Sequence, residues 1–239
     1  MKFTHDEDCR IESVSSLLNI KERFLYAHPR WLFRGHSDST YELLPGLGRL
    51  FQKDPAKDII KLKKMEINSF TEFKLSSYSI LREHNAYYIL AVAQHHGLIT
   101  RLLDWSASAL AALFFAVEKE SGFGKDGALF AYMPPREFNF YANKQANPFE
   151  IENDDFISVP FLSDRIKAQQ GYFQVFGEPT IPFPDVADLY KFRVVGSCKE
   201  KIKEELALLG ITSSVLFPDL GGLCETLNYY HMHYRKRIF

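Results

Sequence analysis

Arg34 and Gly35 stand where a short apolar stretch, Trp31-Leu-Phe, runs out. An arginine leaving a strand offers a bidentate fork to phosphate or carboxylate, and a glycine lets a ligand approach the backbone closely. The competing reading is a structural ion pair with Asp38 or Glu42. A second polar group, His95, His96, Arg101 and Asp104, is set between two apolar runs within Ala91–Val117. Such groups are costly to bury unless paired, so they pair with each other or line a site. His95 and His96 fall at an expected helix C-terminus, where the dipole favours imidazolium. Either histidine is also a candidate general base of a hydrolase. Asp104 either pairs with Arg101 or caps the next helix, with Ser106 as the alternative cap. No third ligand stands at metal spacing, so no metal site is expected. Asp164, Arg165, Gln169 and Gln170 read as a solvated helix face. Asp219 reads as a helix cap. Glu225 lies about 200° round a helix from Leu223 and so points away from that core stripe, to solvent or a cleft. The basic 233–237 stretch complements a helix C-terminus or touches phosphates.

These residues need elements to place them. Apolar spacing predicts helices over 11–27, ended by Pro29, over 57–77, over 85–96 with Gly97 as cap, and from Ser106 onward. The 57–77 helix is expected to bury Ile59, Ile60, Leu62, Met65, Ile67, Phe70 and Phe73. Residues 99–105 read as a link between the two greasy helices. Trp31–His36 reads as a strand, Tyr41–Pro45 as its return, and Gly127–Pro134 as a central strand. Further strands are expected at 156–160, 172–177 and 189–195, with an irregular loop over 134–155. A short helix is expected over 163–171, and one over 198–209 capped by Gly210. Ile211–Pro218 reads as extended or a turn. A last helix should bury Leu220, Leu223, Leu227, Tyr230 and Tyr234. Helices early and strands later, without strict alternation, predict an α+β domain with a mixed or antiparallel central sheet packed by helices.

Composition narrows the classes. The 239 residues are 46% hydrophobic, 15% aromatic and 25% charged, enough for a real core. A net charge of −1 gives no global field for nucleic acid or membrane. Cys9, Cys198 and Cys224 are scattered, which argues against a disulfide framework or a cysteine zinc site. No apolar signal segment opens the sequence, and the longest apolar run, Ala109 to Val117, is too short for a bilayer. A cytoplasmic protein is expected, with no membrane partner.

Trp31–Pro45 with Gly48-Arg49 resembles the signature of the FRG domain, a family named for Phe-Arg-Gly. The resemblance runs on through Ala93–Gly97, Thr100–Ser106, Asp126–Ala128, Arg165-Ile166, Gln169–Gly171 and Gly210–Leu220, to about Leu223. It divides the chain into a helical segment, 1–30, and an FRG domain, 31–239. Arg34-Gly35 and Thr100–Ala116 also resemble, more distantly, the first two elements of arginine-type ADP-ribosyltransferases. That resemblance implies an ADP-ribosyltransferase-like fold and NAD as substrate. Arg34 and Gly35 would meet the phosphates. His36, Thr100 or Ser106 would fix the ribose, and Trp105 or Tyr41 would stack on the nicotinamide. His95, His96, Arg101 and Gln170 would complete the binding set, and Asp104, Glu225, Asp219 or Glu178 would supply the carboxylate. The family's Gln-x-Glu or Glu-x-Glu is not found after residue 160, which leaves the acid open.

Two functions follow. One is an NAD-dependent mono-ADP-ribosyltransferase, a bacterial toxin or phage-defence effector, which modifies nucleic acid or protein and is held in check by an antitoxin or inhibitor protein. The other is a non-catalytic module in which Arg34, Arg101 and the histidines bind a phosphate-bearing ligand or a partner.

Overall fold

A computed structural model describes residues 9–25, 31–54, 58–81, 85–134, 139–140, 147–159 and 164–234. Expectations about Pro29, Lys57, Ser163 and the basic residues 235–237 lie outside these. The strands are β1 (Arg10–Ile11), β2 (Leu32–His36), β3 (Leu102–Ser106), β4 (Gly127–Tyr132), β5 (Asn139–Phe140), β6 (Asp155–Ser158), β7 (Gly171–Val175) and β8 (Leu189–Val194). The helices are α1 (Val14–Phe24), α2 (Gly46–Lys53), α3 (Ile59–Ser76), α4 (Ala86–His95), α5 (Ala109–Val117), α6 (Asp164–Ala168), α7 (Lys199–Leu208), α8 (Ser213–Leu216) and α9 (Leu220–Tyr234).

Among the described residues, all eight strands join one sheet in the order β1-β8-β4-β2-β3-β7-β6-β5. Its middle is antiparallel, and the two outermost pairings, β1 with β8 and β5 with β6, are parallel. The α+β class with a mixed sheet is therefore as expected. One pairing is weak. β2 registers along its whole length with β4, and β3 along its whole length with β7, yet β2 and β3 meet at a single pair, Phe33 with Ser106. Beyond that pair the two central strands part, and the sheet behaves as two halves with a gap between them.

Each half has its own helical cover. Phe33, Leu129, Phe192 and Val194 pack with α1, α5 and α7. Leu102, Phe173, Val175 and Ile157 pack under α4 and α3. The opposite face buries Leu32, Leu103, Trp105, Phe130 and Tyr132. Cys9, Ile11, Val14, Leu17 and Ile20 lie in the same core as Trp31 and Phe33, so the N-terminal segment shares the core of the rest of the chain. Helix α5 comes so close to β2 that a Cβ on Gly35 would sit 1.8 Å from the Ala112 carbonyl oxygen. The glycine after Arg34 is thus required by a helix packed on its backbone, where the sequence suggested room for a ligand.

Several elements differ from expectation. The polar link 99–105 contains β3, a central strand that is apolar apart from Asp104 and Ser106. Two buried faces made the helix–helix link and the buried strand indistinguishable by pattern. Tyr41–Pro45 forms no strand and leads into α2. Helix α5 starts at Ala109, and its cap is Ser108, whose hydroxyl accepts from the Ala111 N–H at 3.2 Å; neither Asp104 nor Ser106 caps it. Residues 213–216 form the short helix α8. In α3 the buried positions are Leu62, Glu66 and Phe70, while Ile60, Met65 and Ile67 are exposed. The stripe of α9 is turned outward: Leu220 is 80% exposed, Leu223 45% and Leu227 47%. Gly222 and Thr226 face inward instead, because a Cβ on Gly222 would sit 2.1 Å from the Phe217 carbonyl oxygen. The backbone preceding α9 runs too near for a leucine.

Candidate functional site

Where β2 and β3 part, a cavity of about 380 Å³ opens. It is lined by Arg34, Gly35, His36 and Ser37 from β2 and the turn after it, and by Asp104, Trp105 and Ser106 from β3. Gln94 and His95 come from the end of α4, Arg49 from α2, Phe115 and Glu118 from α5 and its C-terminus, and Arg165 and Gln169 from α6 and the turn after it. Residues far apart in sequence therefore share one concave wall with several polar groups, the usual character of a ligand site.

A chain of directed hydrogen bonds runs across the wall. The Leu102 N–H donates to Thr100 Oγ1 at 3.0 Å. That hydroxyl donates to Gln94 Oε1. Gln94 must then present its amide nitrogen to Asp104, and Nε2 donates to Oδ1 at 2.8 Å. Across the gap, Arg34 Nη1 donates to the Asp104 backbone carbonyl and lies 3.9 Å from Oδ2. Arg34 Nε donates to His36 Nε2 at 2.9 Å, so that nitrogen carries no proton. The proton of His36 therefore sits on Nδ1, 3.3 Å from the Tyr41 carbonyl oxygen that accepts it.

The electrostatics agree with this tautomer. Burial, then the charge of Arg34, pushes His36 down to about 3, so it is neutral at physiological pH. Burial draws Arg34 down to about 10 against the opposing pull of Asp104, which leaves it cationic near neutrality. His95 is lowered chiefly by burial, which overrides the helix dipole expected to favour its charged form. Glu118 is raised by burial and by Glu225. Arg49 donates Nη1 to the Leu44 carbonyl at 2.6 Å, and no carboxylate lies within 4 Å of it among the described residues. Arg165 Nε and His95 Nδ1 are buried without a hydrogen-bond partner. Each such group costs about 1–3 kcal/mol until something satisfies it.

The structure brings Arg34, Gly35, His36, Tyr41, His95, Asp104, Trp105 and Ser106 to this cavity. Their contacts separate them further. The Trp105 ring is 2% exposed, donates Nε1 to Gln174 Oε1 at 3.1 Å and sits among Tyr132 and Phe156, so it is a core residue and no open stacking platform. Ser106 donates to the Gln169 carbonyl at 2.7 Å and ties β3 to the turn after α6. Tyr41 is 56% exposed at the rim. Thr100 does not line the cavity but orients Gln94.

Other candidates lie elsewhere. Arg101 is fully buried on Glu66, which accepts its Nε at 3.1 Å and its Nη2 at 2.8 Å, and its guanidinium covers the Phe149 ring. His96 is exposed beyond α4. Gln170 takes a left-handed backbone (φ 47°), its carbonyl accepts from Ala107, and its neighbour Gln169 lines the cavity instead. Glu225 lines a second cavity of about 400 Å³, beside α7 and α9. Glu118 and Lys119 belong to both cavities.

Arg49, Gln94 and Glu118 line the cavity although the sequence assigned them no role, and Arg165 and Gln169, expected on a solvated helix face, line it too. Arg49 and Gln94 sit in stretches already singled out, Gly48-Arg49 and Ala93–Gly97, but nothing in their spacing showed which way they point. Glu118 is one of two acids, with Glu120, that follow an apolar helix. Among the described residues, no group of three or more His, Cys, Asp and Glu could hold a metal. No helix among them is long and apolar enough to cross a membrane.

The cavity's two parting strands both fall within one recognised segment. Residues 29–125 match the FRG domain. The FRG match takes in Arg34, Arg49, Gln94, Asp104 and Glu118, and stops short of Arg165 and of the span to Leu223 that the motifs suggested. Neither a curated protein nor a solved structure matches the chain.

Proposed function

We propose that the protein is an NAD-dependent ADP-ribosyltransferase whose NAD enters the cavity between β2 and β3. The observation that carries this reading is the meeting of Arg34 and Asp104, 70 residues apart, in one cavity with Arg49. Arg34 spends Nε on His36 and Nη1 on a carbonyl, which holds the guanidinium plane and leaves Nη2 for a ligand oxygen. Arg49 has its Nε and Nη2 equally free of protein partners among the described residues. Together the open Nη2 of Arg34 and the open Nε–Nη2 edge of Arg49 suit a phosphate of a dinucleotide.

The chemistry needs a carboxylate near the anomeric carbon. When the C1′–N bond breaks, nicotinamide leaves with the bonding electrons and the ribose develops oxocarbenium character. A fixed anion stabilises that charge, as in glycoside cleavage. Asp104, held by Gln94, is the group for this role, and Glu42 and Glu118 are the other acids of the cavity wall. Glu225 is set aside because it lines the second cavity. An acceptor nucleophile on nucleic acid or protein then takes the ribosyl carbon and gives up its proton. The toxin or phage-defence role, and an inhibitor partner, go with this reading.

Incubation with NAD labelled in the adenylate part tests it. Release of nicotinamide and transfer of label to a macromolecule are expected, both lost in Arg34→Lys and Asp104→Asn. No loss of NAD and no label in a complete cell extract would sink the reading. One observation favours a non-catalytic phosphate-binding module: Asp104 is already engaged by Gln94 and Arg34. Tight binding of NAD without any turnover would select that module.

A further inference from the structure

Two arginines of this chain give the same edge of the guanidinium to a carboxylate. Arg101 gives its Nε–Nη2 edge to Glu66, and Arg193 gives the same edge to Asp126. Arg165 differs. Its Nη1 donates to the His95 carbonyl at 3.3 Å, and its plane lies over the Phe217 ring, 4.5 Å from the centroid. These two contacts fix the fork, yet no acid among the described residues takes its Nε–Nη2 edge, and Nε is buried with no partner. The neighbouring His95 Nδ1 is orphaned in the same way, and both side chains line the cavity between β2 and β3. An oriented, unneutralised fork next to an orphaned ring nitrogen is the donor set for an anionic oxygen pair.

We propose that Arg165 and His95 form a second anion post in this cavity, so that its ligand carries a diphosphate, one phosphate held at Arg34 and Arg49 and the other at Arg165. This rests on the phosphate-binding part of the function proposed above and not on its transfer chemistry. Phe217 and the His95 carbonyl are the positioning groups that keep the second post aimed. A nucleoside diphosphate is then distinguished from a nucleoside monophosphate by one charge-assisted fork.

Calorimetric titration of the full chain with ADP and with AMP tests the proposal. Wild type is expected to bind ADP about tenfold more tightly than AMP. Arg165→Gln should remove that preference while AMP affinity stays within about twofold. Arg165→Lys, which keeps the charge and loses the fork, should keep only part of it. An ADP preference that survives Arg165→Gln overturns the proposal, as does a loss of AMP affinity equal to the loss for ADP. So does an absence of ADP binding to wild type. Should the glutamine variant not fold, the arginine Nε–H NMR signals of wild type decide, with Arg165 assigned through the lysine variant. ADP must move the Arg165 signal and AMP must leave it in place; an unmoved signal with ADP overturns the proposal. Neither probe has a nicotinamide bond to break, so a failure to turn over NAD leaves this comparison intact. A lost ADP preference likewise leaves the transferase reading standing.

Discussion

Two arginine–carboxylate pairs meet the same short stretch of chain and are built in opposite ways. Arg101 and Glu66 have side chains 2% and 1% exposed and touch through several bonds, including the Arg101 N–H to Glu66 Oε1 at 2.7 Å. Arg34 and Asp104 are 16% and 51% exposed and stand 3.9 Å apart. The closed pair has its remaining donors on the Pro148 and Phe176 carbonyls, so it seals the junction of α3, β3 and the segment after β7. The open pair leaves donors and a carboxylate facing a cavity. Only Leu102 and Leu103 separate a group that can only hold β3 in place from one that can act, and the difference between the two pairs lies in what surrounds them, not in residue type.

The largest break in that contrast is Glu66→Gln. It leaves Arg101 buried and unmatched, and should cost about 3–5 kcal/mol in urea-induced unfolding. Replacing both partners by apolar residues should recover most of it. Next comes pH. His36 is held at about 3 against an ordinary 6.5, so the unfolded chain takes up a proton before the native protein does. The stability due to this site is complete above about pH 6.5, falls as pH drops towards 3, and levels off below. A few kcal/mol are at stake, and His36→Asn should flatten that part of the stability–pH curve. Thr100→Val leaves Gln94 Oε1 and the Leu102 N–H without their partner, and should cost about 1–3 kcal/mol while loosening Asp104. Asp104→Asn should move the unfolding midpoint least, by less than about 1 kcal/mol. It should nevertheless lower transfer from NAD about a hundredfold. If Asp104→Asn destabilised the protein as much as Glu66→Gln, the distinction between the pairs would disappear.

The sequence showed most of the helices and strands, because β4 and α4 carry continuous apolar runs with clear ends. It also drew attention to Arg34 and Asp104. It could not show which polar residues of 94–104 face the cavity, since β3 is buried on both sides and α4 is almost entirely apolar. Arg101 and Asp104 look equivalent along the chain; only the position of Glu66, an acid on the inner face of α3, decides between them. Arg49 and Arg165 depend on how α2 and α6 meet the sheet, and no local pattern encodes that. Helix α9 misled for a simpler reason: its leucines keep perfect helical spacing, yet the backbone before it leaves room only for Gly222 and Thr226.

That last feature inverts the code by which substitutions on α9 should be judged. In a saturation library across the helix, charged residues at positions 220, 223 and 227 should survive and spread as readily as leucine. The two positions that look dispensable, 222 and 226, should instead tolerate almost nothing. A ranking of variants by hydrophobicity alone would order this helix backwards.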